Sequence, residues 1–133
     1  MTQQTQQEEH LQAYFVRYGE ALAAGDLQTI ANCYALPGLI LSDVGSISIA
    51  DHEEIETAFR GTAQAYRAQG LVAARPTIVG SEAITEGLVF VDVRWDYLDE
   101  QGRSAHQDSY RYLLRVAHDT EPRIQVVIAT SGR

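Results

Sequence analysis

Apolar residues recur at helical spacing near the start of the chain. One stripe of a helix would carry Leu11, Tyr14, Phe15, Tyr18 and Leu22. Thr5 and Glu8 have the spacing of a capping box, which favours a helix start there, and the polar residues 1–7 are expected to fray. Gly25 followed by Asp26 is typical of a helix end that leads into a new N-cap.

Two more helices and two short strands are predicted in the first half of the chain. A short second helix is expected over residues 27–36, because the proline that follows disfavours further helix. Short strands follow over residues 38–43 and 46–49, with a glycine turn between them. A third helix over residues 51–70 begins with an Asp–Glu capping box, and its apolar stripe includes Phe59.

The second half of the chain has the two-residue alternation of β-strands. Strands are predicted over residues 71–84, 88–98, 104–116 and 122–130. Pro76 and Gly80 interrupt the first of these, which indicates a bend or a bulge. In the second, alternation places Trp95 and Tyr97 on the same face as three valines. Helices early and strands late predict a single α+β domain over residues 1–133, with an antiparallel meander.

Composition and charge narrow the classes of function. With 45% hydrophobic and 21% charged residues, the chain is typical of a globular domain. Its net charge of −8, with arginine as the only basic residue type, disfavours nucleic-acid binding, because an acidic surface repels phosphates. The sequence contains neither an apolar run as long as a membrane span nor a signal-peptide core, so we expect no membrane partner and a cytoplasmic location.

Metal and cofactor sites are not expected. Cys33 is the only cysteine, so neither an internal disulfide nor a zinc–thiolate site is predicted. The four histidines lack the spacing of metal ligands, and the sequence contains no glycine-rich phosphate loop and no Gly-x-Ser-x-Gly elbow. We therefore predict no metal and no cofactor.

Two local patterns resemble those of a known superfamily. One is a helix ending in residues 24–27, followed by a short helix that ends at residues 34–35. The other is the hairpin at residues 95–102 followed by the segment 110–115. Together they resemble the nuclear transport factor 2-like superfamily, which includes SnoaL-like and ketosteroid-isomerase-like proteins, over residues 8–131. The resemblance implies a cystatin-like cone of three helices and a curved antiparallel sheet around an apolar pocket, and pairing of many members through the convex sheet face.

Several residues stand at positions that matter in the steroid isomerases. Tyr18 matches a tyrosine that hydrogen-bonds a substrate oxygen, and a phenol in an apolar site would stabilise an oxyanion. It would otherwise be a core aromatic with its hydroxyl bonded to the backbone, and Tyr14 has the same two interpretations. Asp43 points to the opposite face of a regular strand, and a one-residue shift would bring it to the pocket in place of Ser42. Ser42 replaces the general-base aspartate, and Tyr112 replaces the second acid. Because neither supplies a carboxylate, steroid isomerisation is not expected.

The fifth strand offers a second set of candidates. His106, Asp108, Tyr110 and Tyr112 share one face by alternation, and apolar neighbours make it the inner face. Burial there would raise the pKa of Asp108, which would then serve as general acid or base with His106 assisting. Alternatively, His106 and Asp108 lie in solvent at the hairpin end. Trp95 is expected to shape the pocket wall.

These candidates support two hypotheses. The first is a cofactor-free isomerase, dehydratase or cyclase that acts on a small apolar molecule by proton transfer, with Asp108, His106, Tyr18 and Tyr112 as catalytic residues. The second is a non-catalytic ligand-binding or dimerisation domain of the same fold. In both, the ligand would contact Tyr14, Ser42, Trp95, Phe59 and Tyr110. The opposite sheet face alternates arginines and carboxylates, and is either solvated surface or a homodimer interface.

Overall fold

Six strands and four helical segments form the described part of the chain. The computed structural model describes residues 2–130, with side chains from residue 7 onward. The elements are α1 (Thr2–Ala24), α2 (Leu27–Asn32), β1 (Tyr34–Ser42), β2 (Gly45–Ile49), α3 (His52–Phe59), α4 (Thr62–Ala68), β3 (Ala73–Thr85), β4 (Leu88–Leu98), β5 (Ser104–Arg115) and β6 (Arg123–Ala129).

The strands form one mixed sheet in the order β2-β1-β6-β5-β4-β3. Four of its pairings are antiparallel, whereas β1 and β6 pair in parallel. The register of β3 against β4 shifts between Ile78 and Gly80, where the sequence predicted a bend or bulge. The α+β fold is therefore confirmed, with one parallel pairing in place of a fully antiparallel sheet.

The helices differ from the prediction at their ends. Helix α1 begins at Thr2, earlier than the expected start at Thr5. Met1 of the predicted frayed tail and the Thr5 side chain lie outside the described residues. The predicted third helix is divided at Arg60 and Gly61, where Arg60 N donates to Thr57 O in a tight turn. Glycine favours such a break because it is a poor helix former.

Tyr34 belongs to a strand and not to the second helix. Helix α2 is capped by Asp26, whose carboxylate accepts from Thr29 N, and it ends at Asn32. The chain then turns at Cys33, whose carbonyl accepts from Ile124 N at 2.8 Å. Tyr34 therefore pairs with β6 as part of β1, although its helical spacing placed it in the second helix predicted over residues 27–36.

Helix α1 packs on the inner face of the sheet, which we define as the face that carries Trp95 and Tyr112. The side chains predicted to alternate inward on β4 are all buried: Val89, Val91, Val93, Trp95 and Tyr97. Phe15 of α1 packs against Trp95, with ring centroids 6.5 Å apart. Within the described residues, no helix is long and apolar enough to cross a membrane.

Candidate functional site

A cavity of about 250 Å³ lies between the inner face of the sheet and the helices. Its apolar lining includes Leu22, Ile40, Phe59 and Val127. Its aromatic lining includes Tyr18, Tyr34, Trp95 and Tyr112. Among the described residues, none of the side chains that line it carries a charge. The cavity is therefore an apolar chamber whose polar groups are mainly phenol hydroxyls.

Three buried tyrosines form the deep end of the cavity. The hydroxyl oxygens of Tyr18 on α1 and Tyr34 on β1 lie 2.6 Å apart, within hydrogen-bond distance. The Trp95 Nε1–H donates to the hydroxyl oxygen of Tyr112 at 2.8 Å. The rings of Tyr18 and Tyr112 meet edge to face, with centroids 6.3 Å apart. We call Tyr18, Tyr34 and Tyr112 the inner phenols.

Burial keeps the inner phenols protonated. It raises the pKa of Tyr18 and of Tyr112 well above the ordinary value of 10.0, and that of Tyr34 is raised as well. Removal of a phenol proton in a dry site would leave an uncompensated charge. The three hydroxyls are therefore neutral hydrogen-bonding groups at any physiological pH.

Three more tyrosines line the cavity beside the inner phenols. They are Tyr66 on α4, Tyr97 on β4 and Tyr110 on β5. The ring centroids of Tyr66 and Tyr97 lie 5.2 Å apart. Burial is the main cause that raises the pKa of all three, and the carboxylate of Asp108 raises each further.

Asp108 and His106 lie at the rim of the cavity and not in its lining. The Nε2 of His106 is 3.4 Å from Oδ1 of Asp108, and the side chains are 55% and 32% exposed. The imidazole stacks on the Tyr97 ring, with centroids 5.7 Å apart. The predicted pair therefore exists, but it reaches the cavity only through the tyrosines beside it.

The other predicted site residues divide into two groups. Phe59, Trp95 and Tyr110 line the cavity. Tyr14 does not, because its buried hydroxyl donates to Cys33 O at 2.6 Å. Ser42 does not either, because it is exposed at the end of β1, where its hydroxyl accepts from Val44 N at 3.3 Å.

Sequence reasoning missed Tyr34, Tyr66 and Tyr97 as site residues. The helical spacing of Tyr34 concealed its place on β1, although the disfavoured helix before Pro37 was a signal for an earlier strand. The sequence places Tyr66 within the third predicted helix and Tyr97 on the valine face of a strand, and gives neither a role in the site. As to metals, no group of three or more His, Cys, Asp or Glu side chains within residues 2–130 is placed to hold an ion.

Comparisons with known proteins agree with this architecture. Residues 6–132 match the model of a family described as NTF2-like protein (DUF6841). No curated protein matches the chain.

Solved structures share the fold at low sequence identity. Rv3472 of Mycobacterium tuberculosis is 15% identical, with a TM-score of 0.73 over 99% of this chain and 75% of that one. An NTF-2 like protein from Shewanella oneidensis MR-1 is 15% identical, with a TM-score of 0.69 over 93% and 98%. Aln2 from a Streptomyces species is 16% identical, with a TM-score of 0.67 over 94% and 90%. At such identities these structures establish the fold alone.

Proposed function

The chain belongs to the NTF2-like family DUF6841, and we propose that it binds a small, mostly apolar molecule in the cavity lined by the inner phenols. The observation that carries this proposal is an apolar chamber into which a few hydroxyls converge. Ligand sites typically combine such walls with a small number of placed polar groups.

The size and charge of the cavity restrict the ligand. A volume of about 250 Å³ lies just below the range of about 300–1,000 Å³ that ligand pockets commonly have, which favours a compact molecule. Because the described lining carries no cationic side chain, a carboxylate or phosphate group would be buried without a counter-charge. A neutral ligand is therefore favoured.

Filling the cavity should weaken ligand binding. Ala58 lines the cavity from α3, and Ala58→Trp would place a large ring into it. We expect ligands found in a small-molecule screen to bind this variant at least tenfold more weakly than the native protein. Protection against thermal unfolding measures the apparent affinity. Ala65→Trp on α4 is the matched control, because Ala65 is exposed as Ala58 is but does not line the cavity. Equal protection of both variants would contradict the proposed site.

Acid–base catalysis on the bound molecule is a second candidate. The supporting observation is that Asp108 contacts His106 and influences the ionisation of Tyr66 and Tyr110, which both line the cavity. A carboxylate at the rim would act as the acid or base on a substrate that reaches this side of the cavity. The class would be a cofactor-free isomerase, dehydratase or cyclase.

Asp108→Asn tests the catalytic candidate. If Asp108 is the acid or base, turnover of a ligand found in the screen should depend on pH in the native protein, and the variant should lose about 100-fold in rate. Asp92→Asn is the control, because Asp92 alternates onto the opposite sheet face. An unchanged pH–rate profile in Asp108→Asn would exclude Asp108 as the titrating group.

We also propose a homodimer that forms through the outer face of the sheet, opposite the cavity. One row across β1, β6, β5 and β4 on this face is apolar: Leu39, Val126, Leu113 and Phe90. These side chains stay partly or largely exposed. The Arg111 guanidinium lies 4.4 Å from the Phe90 ring centroid, so the apolar row has a polar edge.

Leu113→Glu should shift a dimer toward the 14.7 kDa monomer, because it would bury a charge in the contact. Light scattering coupled to gel filtration would report the mass. Val44→Glu, at an exposed turn, should leave the mass unchanged. A native protein that elutes as a monomer at high concentration would contradict the dimer.

A further inference from the structure

Trp95 determines which part of the Tyr112 hydroxyl is available to a ligand. Its indole Nε1–H donates to the Tyr112 oxygen at 2.8 Å, and both side chains are buried. An indole nitrogen can only donate, whereas a phenol offers one proton and an accepting oxygen. The Tyr112 oxygen is therefore engaged as an acceptor, and its proton has no acceptor among the described residues.

The hydrogen-bond donors and acceptors of the other two inner phenols can be assigned in the same way. Tyr18 and Tyr34 share a single hydrogen bond of 2.6 Å, which uses one of their two protons. The second proton of this pair has no acceptor in the described part of the chain. The deep end of the cavity thus presents two spare O–H protons, one from the pair and one from Tyr112.

Buried hydrogen-bond donors without a partner are unfavourable, so the cavity favours a ligand that supplies an accepting atom. A carbonyl oxygen has lone pairs and no proton, so it satisfies spare donors without adding one. An alcohol adds its own proton, and beside Tyr112 that proton would meet an oxygen already engaged by Trp95.

We propose that Trp95 is a specificity-determining residue: because it engages the Tyr112 oxygen, the cavity selects a ligand that presents a carbonyl oxygen over one that presents a hydroxyl. This inference rests on the proposed function, since it requires that the cavity binds a small apolar molecule. Burial supports it further, because the raised pKa of Tyr112 keeps the donating proton in place.

The test uses three probes of nearly the same shape: indanone, indanol and indane. NMR titration gives the affinity of each, and the indole N–H signal of the only tryptophan reports contact at Tyr112. We expect the native protein to bind indanone about tenfold more tightly than indanol, because indanol leaves a buried donor unpaired. Indane should bind more weakly than indanone as well.

Two variants separate the role of Trp95 from its bulk. Trp95→Phe frees the Tyr112 oxygen to accept, so the preference for indanone over indanol should fall to about twofold or less. Tyr112→Phe removes the spare proton and should weaken indanone binding about tenfold with little change for indane. In the Tyr112→Phe background, Trp95→Phe should change the preference by less than about twofold, because Trp95 acts through Tyr112.

The outcomes distinguish the two proposals. Binding of the probes with no preference for indanone, or with indanol preferred, overturns the role of Trp95 and leaves the binding function standing. A preference that persists in Trp95→Phe likewise overturns it. If Trp95→Phe does not fold, the native ratio and the loss in Tyr112→Phe decide the question. Failure of all three probes and of a wider screen to bind overturns the proposed function, and the inference with it.

Discussion

Replacing Gly19 with alanine is expected to destabilise the protein by about 1–3 kcal/mol, although alanine is the better helix former by about 1 kcal/mol. A Cβ at this position of α1 would lie 2.7 Å from the Trp95 ring and 2.8 Å from Ala74 O. The backbone oxygen cannot move aside, so helix and sheet would separate. Denaturant unfolding followed by circular dichroism measures the loss.

Gly61→Ala is the matched control for this prediction. Gly61 lies between α3 and α4, and a Cβ there would meet no atom within 4 Å. We expect its free energy of unfolding to stay unchanged or to rise slightly, because alanine restricts the unfolded chain. If Gly19→Ala is as stable as Gly61→Ala, the close approach of α1 to Trp95 is not required by the fold. The displaced ring in Gly19→Ala should also weaken ligand binding.

Asp96→Asn is expected to cost about 1–3 kcal/mol of folding stability at neutral pH. The buried Asp96 carboxylate accepts from Gln107 Nε2 at 2.7 Å and from Ser104 Oγ at 2.8 Å. Arg94 and Arg75 lie 3.5 and 4.0 Å from its other oxygen. An amide in the same place would present one of its N–H groups to donors and would lose the charge.

The same contacts make the contribution of Asp96 to folding stability depend on pH. The hydrogen bonds from Gln107 and Ser104, and then the two arginines, lower the pKa of Asp96 below its ordinary value of 3.8. The carboxylate therefore contributes its full stability above pH 3.8, and that contribution is lost as the pH falls through the lowered value in the folded protein. The difference between native protein and Asp96→Asn should shrink in this acidic range.

Asp92→Asn provides the comparison for Asp96→Asn. Asp92 lies on the same strand and face, but its side chain is 42% exposed and its nearest ion pair, with Arg111, is 3.7 Å long. Such a pair contributes only about 0–1 kcal/mol. If the two substitutions lower the free energy of unfolding equally at every pH, burial and hydrogen bonding at Asp96 are not the cause of the loss in Asp96→Asn.

Local sequence patterns predicted the elements whose structure depends on local interactions. Strand β4 has the predicted bounds, because valines and aromatic residues alternate with mostly polar ones and leave no competing periodicity. The bulge at Gly80 was also evident, since glycine lacks a side chain to pack in a regular strand. Tyr34 was misassigned because its helical spacing was correct, and only pairing with the distant Ile124 places it in β1.

The sequence predicted the sheet face on which each site residue of a strand lies, but not which side chains contact one another. Alternation correctly put Tyr112 on the inner face, but its bond to Trp95 joins residues that do not pair directly: Tyr112 is opposite Val91, and Trp95 is opposite Asp108. Such diagonal contacts depend on side-chain rotamers. Alternation predicts the face on which a side chain lies, but not whether its position along the strand is inside the cavity or at the rim. The position of Asp108 at the rim depends on where the helices cover the sheet.

The parallel pairing of β1 with β6 governs when the protein can fold during synthesis. Strand β6 fills the position between β1 and β5, so the β1–β2 hairpin has no neighbour in the sheet until the ribosome has made residue 129. The cavity wall likewise stays open until Val127 arrives to join Ile40. A nascent chain that stops short of β6 would expose two strand edges, and we expect it to depend on chaperones until the last strand is inserted.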